Sequence, residues 1–296
     1  MQCQSPNLYW LDSILNQKTT HKVDLLIRDD GSTDTTLDIL TLYQKKYPDR
    51  ITLIKGKNIG YNKSFFELIN LADNYDFYAL SDQDDIWLEN KIETALEWLM
   101  KEDQLIPLLY GAPSYLVYDD LKPYGTTQMQ KRKITFKNTI IQNFLPGHEQ
   151  VMNQLLLNEL KKNIDLSKIY VHDSWITNVA MVKGKVIFNN TPFVFYRQHK
   201  DNAIGYGNGY FSWIKERVRR IIKSDNKKYA IQINYFYEMY SHYLDEKDYN
   251  ELHSFIKNNK NFFSRCKYIL TSKLYRQTHF QTFLFKILYL LGGYKI

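Results

Sequence analysis

Cysteine is nearly absent: the 296 residues include two, Cys3 and Cys266, and neither has a His or Cys neighbour at zinc-ligand spacing. That excludes a disulfide framework and fits a reducing compartment. No apolar run reaches the roughly 18 to 20 residues of a membrane span, and no terminal stretch couples a charged segment to an apolar one as a secretion signal does. The sequence reads as cytosolic. A Gly-rich phosphate loop is missing too, which argues against a sugar-nucleotide pyrophosphorylase. What is present suits a real core, because 44% of the residues are hydrophobic and 15% aromatic. The length fits one large or two small domains.

Charge is unevenly placed. Residues 205–296 hold 16 Lys or Arg against 7 Asp or Glu, whereas residues 1–204 hold 23 against 25. The whole net charge of +7 therefore comes from the carboxyl-terminal part, and such a split points to an anionic partner for the basic part. No nucleic-acid-binding motif accompanies it.

Taken in order, Leu8, Leu11, Ile14 and Leu15 give a short amphipathic helix. Val23 to Ile27 reads as a strand and runs into Asp29-Asp30-Gly31-Ser32, followed by a helix carrying Leu37 and Leu40. A second strand, Ile51 to Ile54, leads through a loop with Asn58 and Gly60 to a helix with Phe65, Phe66 and Ile69. A third, Phe77 to Leu80, enters Ser81-Asp82-Gln83-Asp84-Asp85-Ile86-Trp87 and a helix with Ile92, Ala95, Leu96 and Leu99. Alternating strands and helices predict an α/β fold with a mixed, mostly parallel sheet. In such sheets ligands bind beyond the carboxyl ends of the strands, where all three polar loops would gather.

The third loop carries the sharpest chemistry. In an extended backbone Asp82 and Asp84 point to one side and Gln83 to the other. Two carboxylates there suit a hard divalent cation that also binds substrate phosphates. A solvated acidic turn is the competing reading of that tripeptide. A phosphotransferase of the D-x-D-x-T/V kind is disfavoured, because the Thr or Val is missing.

Together, Leu11 to Gln17, Asp29-Asp30-Gly-Ser-Thr-Asp34, Asn58-Ile-Gly60, Ser81 to Trp87, His172-Asp173 and Tyr196-Arg-Gln-His199 resemble glycosyltransferase family 2. They look most like its bacterial rhamnosyltransferase-type members, which build surface polysaccharides. The resemblance implies a GT-A fold that binds a nucleotide-diphosphate sugar, a divalent metal (Mg2+ or Mn2+) and inversion at the anomeric carbon. It implies that Asp29 and Asp30, with Asn58, Gly60 and Asp82, bind the donor, and that Asp82, Asp84 and a late histidine, His199, hold the metal. Asp173 would be the general base, with His172 beside it, and Trp87, His172 and Trp175 would meet the acceptor. Arg197 would meet the diphosphate, whose oxygens match its planar fork. His148 and Glu149 depart from the small residues the family pattern has there, and His148 reads equally as a turn residue or a substrate contact.

The family pattern starts with an apolar strand before the first helix, and none precedes Leu8. The expectation is a chain that begins downstream of that strand, with unpaired groups on its neighbours and an incomplete nucleotide pocket. Residues 1–204 are expected to form the GT-A domain and residues 205–296 a basic, amphipathic helical region. That region includes one cationic helix over Trp213 to Ile222 and an apolar one over Phe280 to Leu291. It would pack on the enzyme or a second copy as a homodimer, or lie on an anionic membrane surface at the inner face of the cell membrane. The leading reading is an inverting transferase acting on a saccharide or lipid-linked acceptor. The alternative is an inactive remnant or binding subunit that keeps the fold.

Overall fold

A computed structural model describes residues 9–162, 164–197 and 225–295. His199 and the cationic helix expected over Trp213 to Ile222 lie outside the described residues. The chain folds as two compact units, each drawn from several segments. The first contains residues 1–128, 145–164 and 187–197, and the second residues 129–144, 165–186 and 198–296.

In the first unit the helix α1 (Tyr9–Leu15) buries Leu11, Ile14 and Leu15. The alternation read from the sequence follows: β1 (Leu25–Asp29), α2 (Thr36–Lys46), β2 (Ile51–Lys55), α3 (Tyr61–Leu71), β3 (Phe77–Ala79), β4 (Ile86–Trp87) and α4 (Lys91–Leu99). Then come β5 (Leu108–Gly111), β6 (Tyr115–Val117), β7 (Pro123–Thr126), β8 (Val151–Asn153), α6 (Gln154–Leu160), β9 (Lys185–Phe188) and β10 (Val194–Arg197). A short helix of the second unit, α5 (Phe136–Thr139), intervenes between β7 and β8.

Three sheets result, ordered β1-β2, β4-β10-β6-β7 and β3-β8-β5-β9. β1 and β2 run parallel, as do β6 and β10, while β8 is antiparallel to both β3 and β5. Among the described residues, β1 pairs with β2 and β3 with β8, so the two strands stand in separate sheets. A cavity of about 1290 Å³ occupies the gap, lined by Leu25 and Ile27 of β1, Phe77 and Ala79 of β3, and apolar residues of α1 to α4. Tyr75 donates from its hydroxyl to Asp24 across one end.

The second unit is helical: α7 (His172–Lys183), α8 (Asp225–Tyr240), α9 (Glu246–Lys257), α10 (Phe262–Thr271) and α11 (His279–Leu290) join α5. Asp245, Asn261 and Thr278 cap α9, α10 and α11 by accepting from the backbone N–H three residues on, as short polar side chains do at helix starts. Trp175 is fully buried, stacked on Tyr235 at 5.4 Å with Phe236 and Tyr240 edge-on. Buried Glu251 accepts from Tyr268 and Ser272 and thereby ties α9 to α10. No helix among the described residues is long and apolar enough to cross a membrane.

Candidate active site

β3 and β8 pair antiparallel with Ala79 opposite Val151, and the Leu80 N–H donates to the Gln150 carbonyl at 3.1 Å. Continued two residues further, that register sets Asp82 opposite His148. The strand has ended by then, and the backbone turns at Gln83 and Asp84. Strand alternation therefore no longer governs which side chains share a side. Across the turn Asp82 and Asp85 come together, and one ligand atom each from Asp82, Asp85 and His148 lies within 4.8 Å of the others. Asp84 is not part of this group, a departure from the Asp82/Asp84 pairing expected of an extended backbone.

The imidazole is held from several sides. Nδ1 of His148 is 3.3 Å from Asp85 and 3.5 Å from Asp82, and its ring stacks on Tyr196 at 4.8 Å. On the other edge, Nε2 lies 2.7 Å from Ser114 Oγ, which in turn donates to Glu149 at 2.7 Å. A hydroxyl that gives its proton to Glu149 must accept from Nε2–H. That choice leaves Nδ1 facing the carboxylates, with its lone pair directed there in the neutral ring.

Asp85, Glu149 and Lys91 are fully buried beside it. Neither oxygen of Asp85 has a hydrogen bond, nor do Oε2 of Glu149 and Nζ of Lys91. The Lys91 ammonium instead sits 3.9 Å from the centre of the Trp87 ring. Burial and the neighbouring Asp82 push the Asp85 carboxyl well above its usual range, against the pull of His148. Burial raises Glu149 to about 7, opposed by Lys91 and His148, and lowers Lys91 to about 8. His148 stands at about 9: burial works to lower it, but Asp85 and Asp82 outweigh that. Two carboxylates and an imidazole, one carboxylate without hydrogen bonds, suit Mn2+ or Mg2+.

Two more loops end at the same side of the unit. Asp29 accepts from the N–H groups of Gly31 and Ser32 at 3.2 Å, forming a tight turn. Asp30 accepts from Ile59 and Gly60 N–H at 2.9 Å and pairs with Arg28. Although burial opposes it, those N–H groups and the guanidinium hold its carboxyl below the usual range. Asp30 thus fixes the Asn58–Gly60 loop. Gly31 and Gly60 both have positive φ, +80° and +84°, and a Cβ on Gly31 would stand 3.1 Å from the Asn58 nitrogen; the close approach of the two loops requires glycine. Asp29, Asp30, Asn58, Gly60 and Gln83 all line the polar mouth of the β1/β3 cavity.

The other expected residues are placed differently. Arg197 follows Tyr196 on β10 and is buried, so it leaves the strand on the face opposite the ring that covers His148. Trp87 is buried under Lys91 and Trp175 is enclosed by aromatic rings, so neither indole presents a face to solvent. His172 and Asp173 open α7 in the second unit, both buried. Asp173 accepts from Asn143 Nδ2 at 2.8 Å and from the Ser174 N–H at 2.9 Å. Ser114, Lys91, Asp85 and Glu149 were missed as site residues. For Asp85 the acidic run was a signal; Ser114 and Lys91 gave none.

Residues 9–152 match the model of Glycosyl transferase family 2. The chain is 29% identical over 233 residues to a dTDP-rhamnosyl transferase, RfbG, of Shigella flexneri, covering 75% of this chain and 77% of the relative. Among solved structures it is similar to a mannosyltransferase, PcManGT from Pyrobaculum calidifontis, in complex with GDP-Man and Mn2+ (TM-score 0.57, 16% identity, 98% of this chain and 83% of that one). It is also similar to S. aureus TarS 1-349 in complex with UDP (TM-score 0.54, 16% identity, 90% and 71%). These likenesses establish the GT-A fold.

Proposed function

We propose that the chain, whose residues 9–152 match the model of Glycosyl transferase family 2, is a metal-dependent inverting transferase of that family. It moves a sugar, a deoxyhexose such as rhamnose first among the candidates, from a nucleotide-diphosphate donor to a saccharide or lipid-linked acceptor of bacterial surface polysaccharide. The observation that carries this reading is the convergence of Asp82, Asp85 and His148 beside the loops of Asp29, Asp30, Asn58 and Gly60. Asp82, Asp85 and His148 would hold the divalent cation. Bound there, the cation acts as a Lewis acid that neutralises charge on the departing diphosphate.

The chain's own residues set the rest. Ser114 orients His148, and Glu149 fixes that hydroxyl. Asp30 holds the loop that carries Asn58, so the donor's base and ribose meet a preformed wall of Asp29, Asn58 and Gly60. The acceptor hydroxyl is a weak nucleophile and requires a carboxylate base, the role proposed for Asp173. A single in-line displacement then inverts the anomeric centre.

A second reading, a chain that keeps the fold without turnover, is favoured by the β1/β3 cavity, which opens directly on Asp29 and Asp30. Calorimetry with dTDP-rhamnose, UDP-GlcNAc and GDP-mannose, each with Mn2+ and with EDTA, tests both. Metal-dependent binding of one donor, with an inverted product by NMR, is the expected result. Binding without turnover selects the second reading, and no binding at millimolar donor sinks both.

A further inference from the structure

The last carboxylate in the sequence is Glu251: residues 252–296 contain no Asp or Glu but eight Lys and Arg. This stretch includes α10 and α11. Arg265 donates to the Leu290 carbonyl and Lys286 to that of Ile269, so the two helices run antiparallel as a hairpin. Its inner side is closed by Tyr268, Phe285, Leu288 and Tyr289, all buried.

The outer sides are apolar and exposed. On α10, Phe263 and Leu270 share a face at i and i+7 and are 84% and 87% exposed. On α11, Phe280, Phe283, Leu284, Ile287 and Leu291 fall on one face, with Phe283 59% and Leu291 74% exposed. Isolated exposed apolar residues are ordinary, but a stripe on each of two adjoining helices marks an interaction surface. Lys267 shares the α10 face with Phe263 and Leu270, and Lys260 and Lys273 flank that helix.

We propose that the α10–α11 hairpin docks the chain on an anionic lipid bilayer, with Phe263, Leu270, Phe283 and Leu291 entering the headgroup boundary and the lysines meeting lipid phosphates. The charge pattern selects this occupant over a second copy. A symmetric contact sets the same patch against itself, and here that would oppose cation to cation with no carboxylate in the segment to relieve it. A bilayer surface takes both features at once: apolar side chains of an amphipathic helix insert, and each nearby Lys or Arg strengthens association about fivefold. With 12 residues, α11 is about 18 Å long, too short to cross a hydrocarbon core, so the hairpin lies in the surface plane.

The test is co-sedimentation of the full chain with phosphatidylcholine vesicles with and without about a third phosphatidylglycerol, alongside light scattering and donor binding in solution. The parent is expected to partition onto anionic vesicles and much less onto neutral ones. Combined Phe263→Ser, Leu270→Ser and Phe283→Ser, all at exposed positions, should reduce partitioning at least tenfold. Combined Lys260→Gln and Lys267→Gln should reduce it at least tenfold too, and more of the parent should be released as salt rises. Helical content and donor binding should match the parent in both variants, which separates this result from a failure of the transferase reading. Unchanged vesicle binding by the Ser variant overturns the proposal, and so does a parent dimer that the Ser substitutions convert to monomer.

Discussion

Asp85→Asn is expected to abolish calorimetric Mn2+ binding by the full chain and to lower transferase turnover on the order of 1000-fold, while Asp84→Asn costs less than tenfold. The contrast follows from burial and direction. Asp85 is wholly buried, its oxygens have no hydrogen bond, and it faces His148 Nδ1 at 3.3 Å. Removing one charge-stabilising group from a preorganised site costs about 100- to 1000-fold, and here a ligand would be lost as well. The fold should survive. Without Asp85 the imidazole can shed its proton, so no charge is stranded in the interior, and the thermal midpoint is the check. Retained Mn2+ binding in Asp85→Asn would mean that the cation is held elsewhere.

The same cluster fixes a pH dependence. A metal ion needs neutral His148, whose pKa stands at about 9. Apparent Mn2+ affinity should therefore rise with pH until about 9, close to tenfold per unit where this proton alone competes. Stability of the metal-free protein runs the other way. The raised imidazole pKa contributes stability that is fully present below about 6.5 and is lost as pH rises through about 9. Opposite slopes in the two measurements would identify His148 as the common group.

The three βα repeats and the acidic turns after β1 and β3 were legible in the sequence because they depend on local spacing, which period and polarity report directly. The candidate metal group was legible only in part. Asp82 belongs to the acidic run, but choosing Asp84 over Asp85 assumed a strand that continues, whereas the strand ends at Ala79 and the chain turns. His148 reaches the site through the β3–β8 ladder, a pairing of residues some seventy positions apart that no local pattern encodes. Ser114 arrives by the same kind of long-range contact. β1 and β3 stand in separate sheets and line one cavity together, an arrangement of segments some fifty positions apart that local spacing does not report.

Asp173→Asn is expected to lower turnover about 100-fold or more and to leave donor affinity unchanged, because an amide keeps the size of the carboxylate but cannot take a proton. The hydrogen bonds around it make this a clean substitution. In the parent, Asn143 Nδ2 and the Ser174 N–H each donate to one carboxylate oxygen. An asparagine at 173 can keep its oxygen on the Ser174 N–H and turn its NH2 toward Asn143. Two NH2 groups would then face each other unless Asn143 rotates its amide, which turns its Oδ1 toward the new NH2. The exchange therefore leaves packing and helix α7 in place. Asn143→Ala, by contrast, removes a donor from the carboxylate without removing the base, and should lower turnover less than Asp173→Asn does. Undiminished turnover in Asp173→Asn would exclude this residue as the base, and loss of donor binding in that variant would recast it as a donor contact.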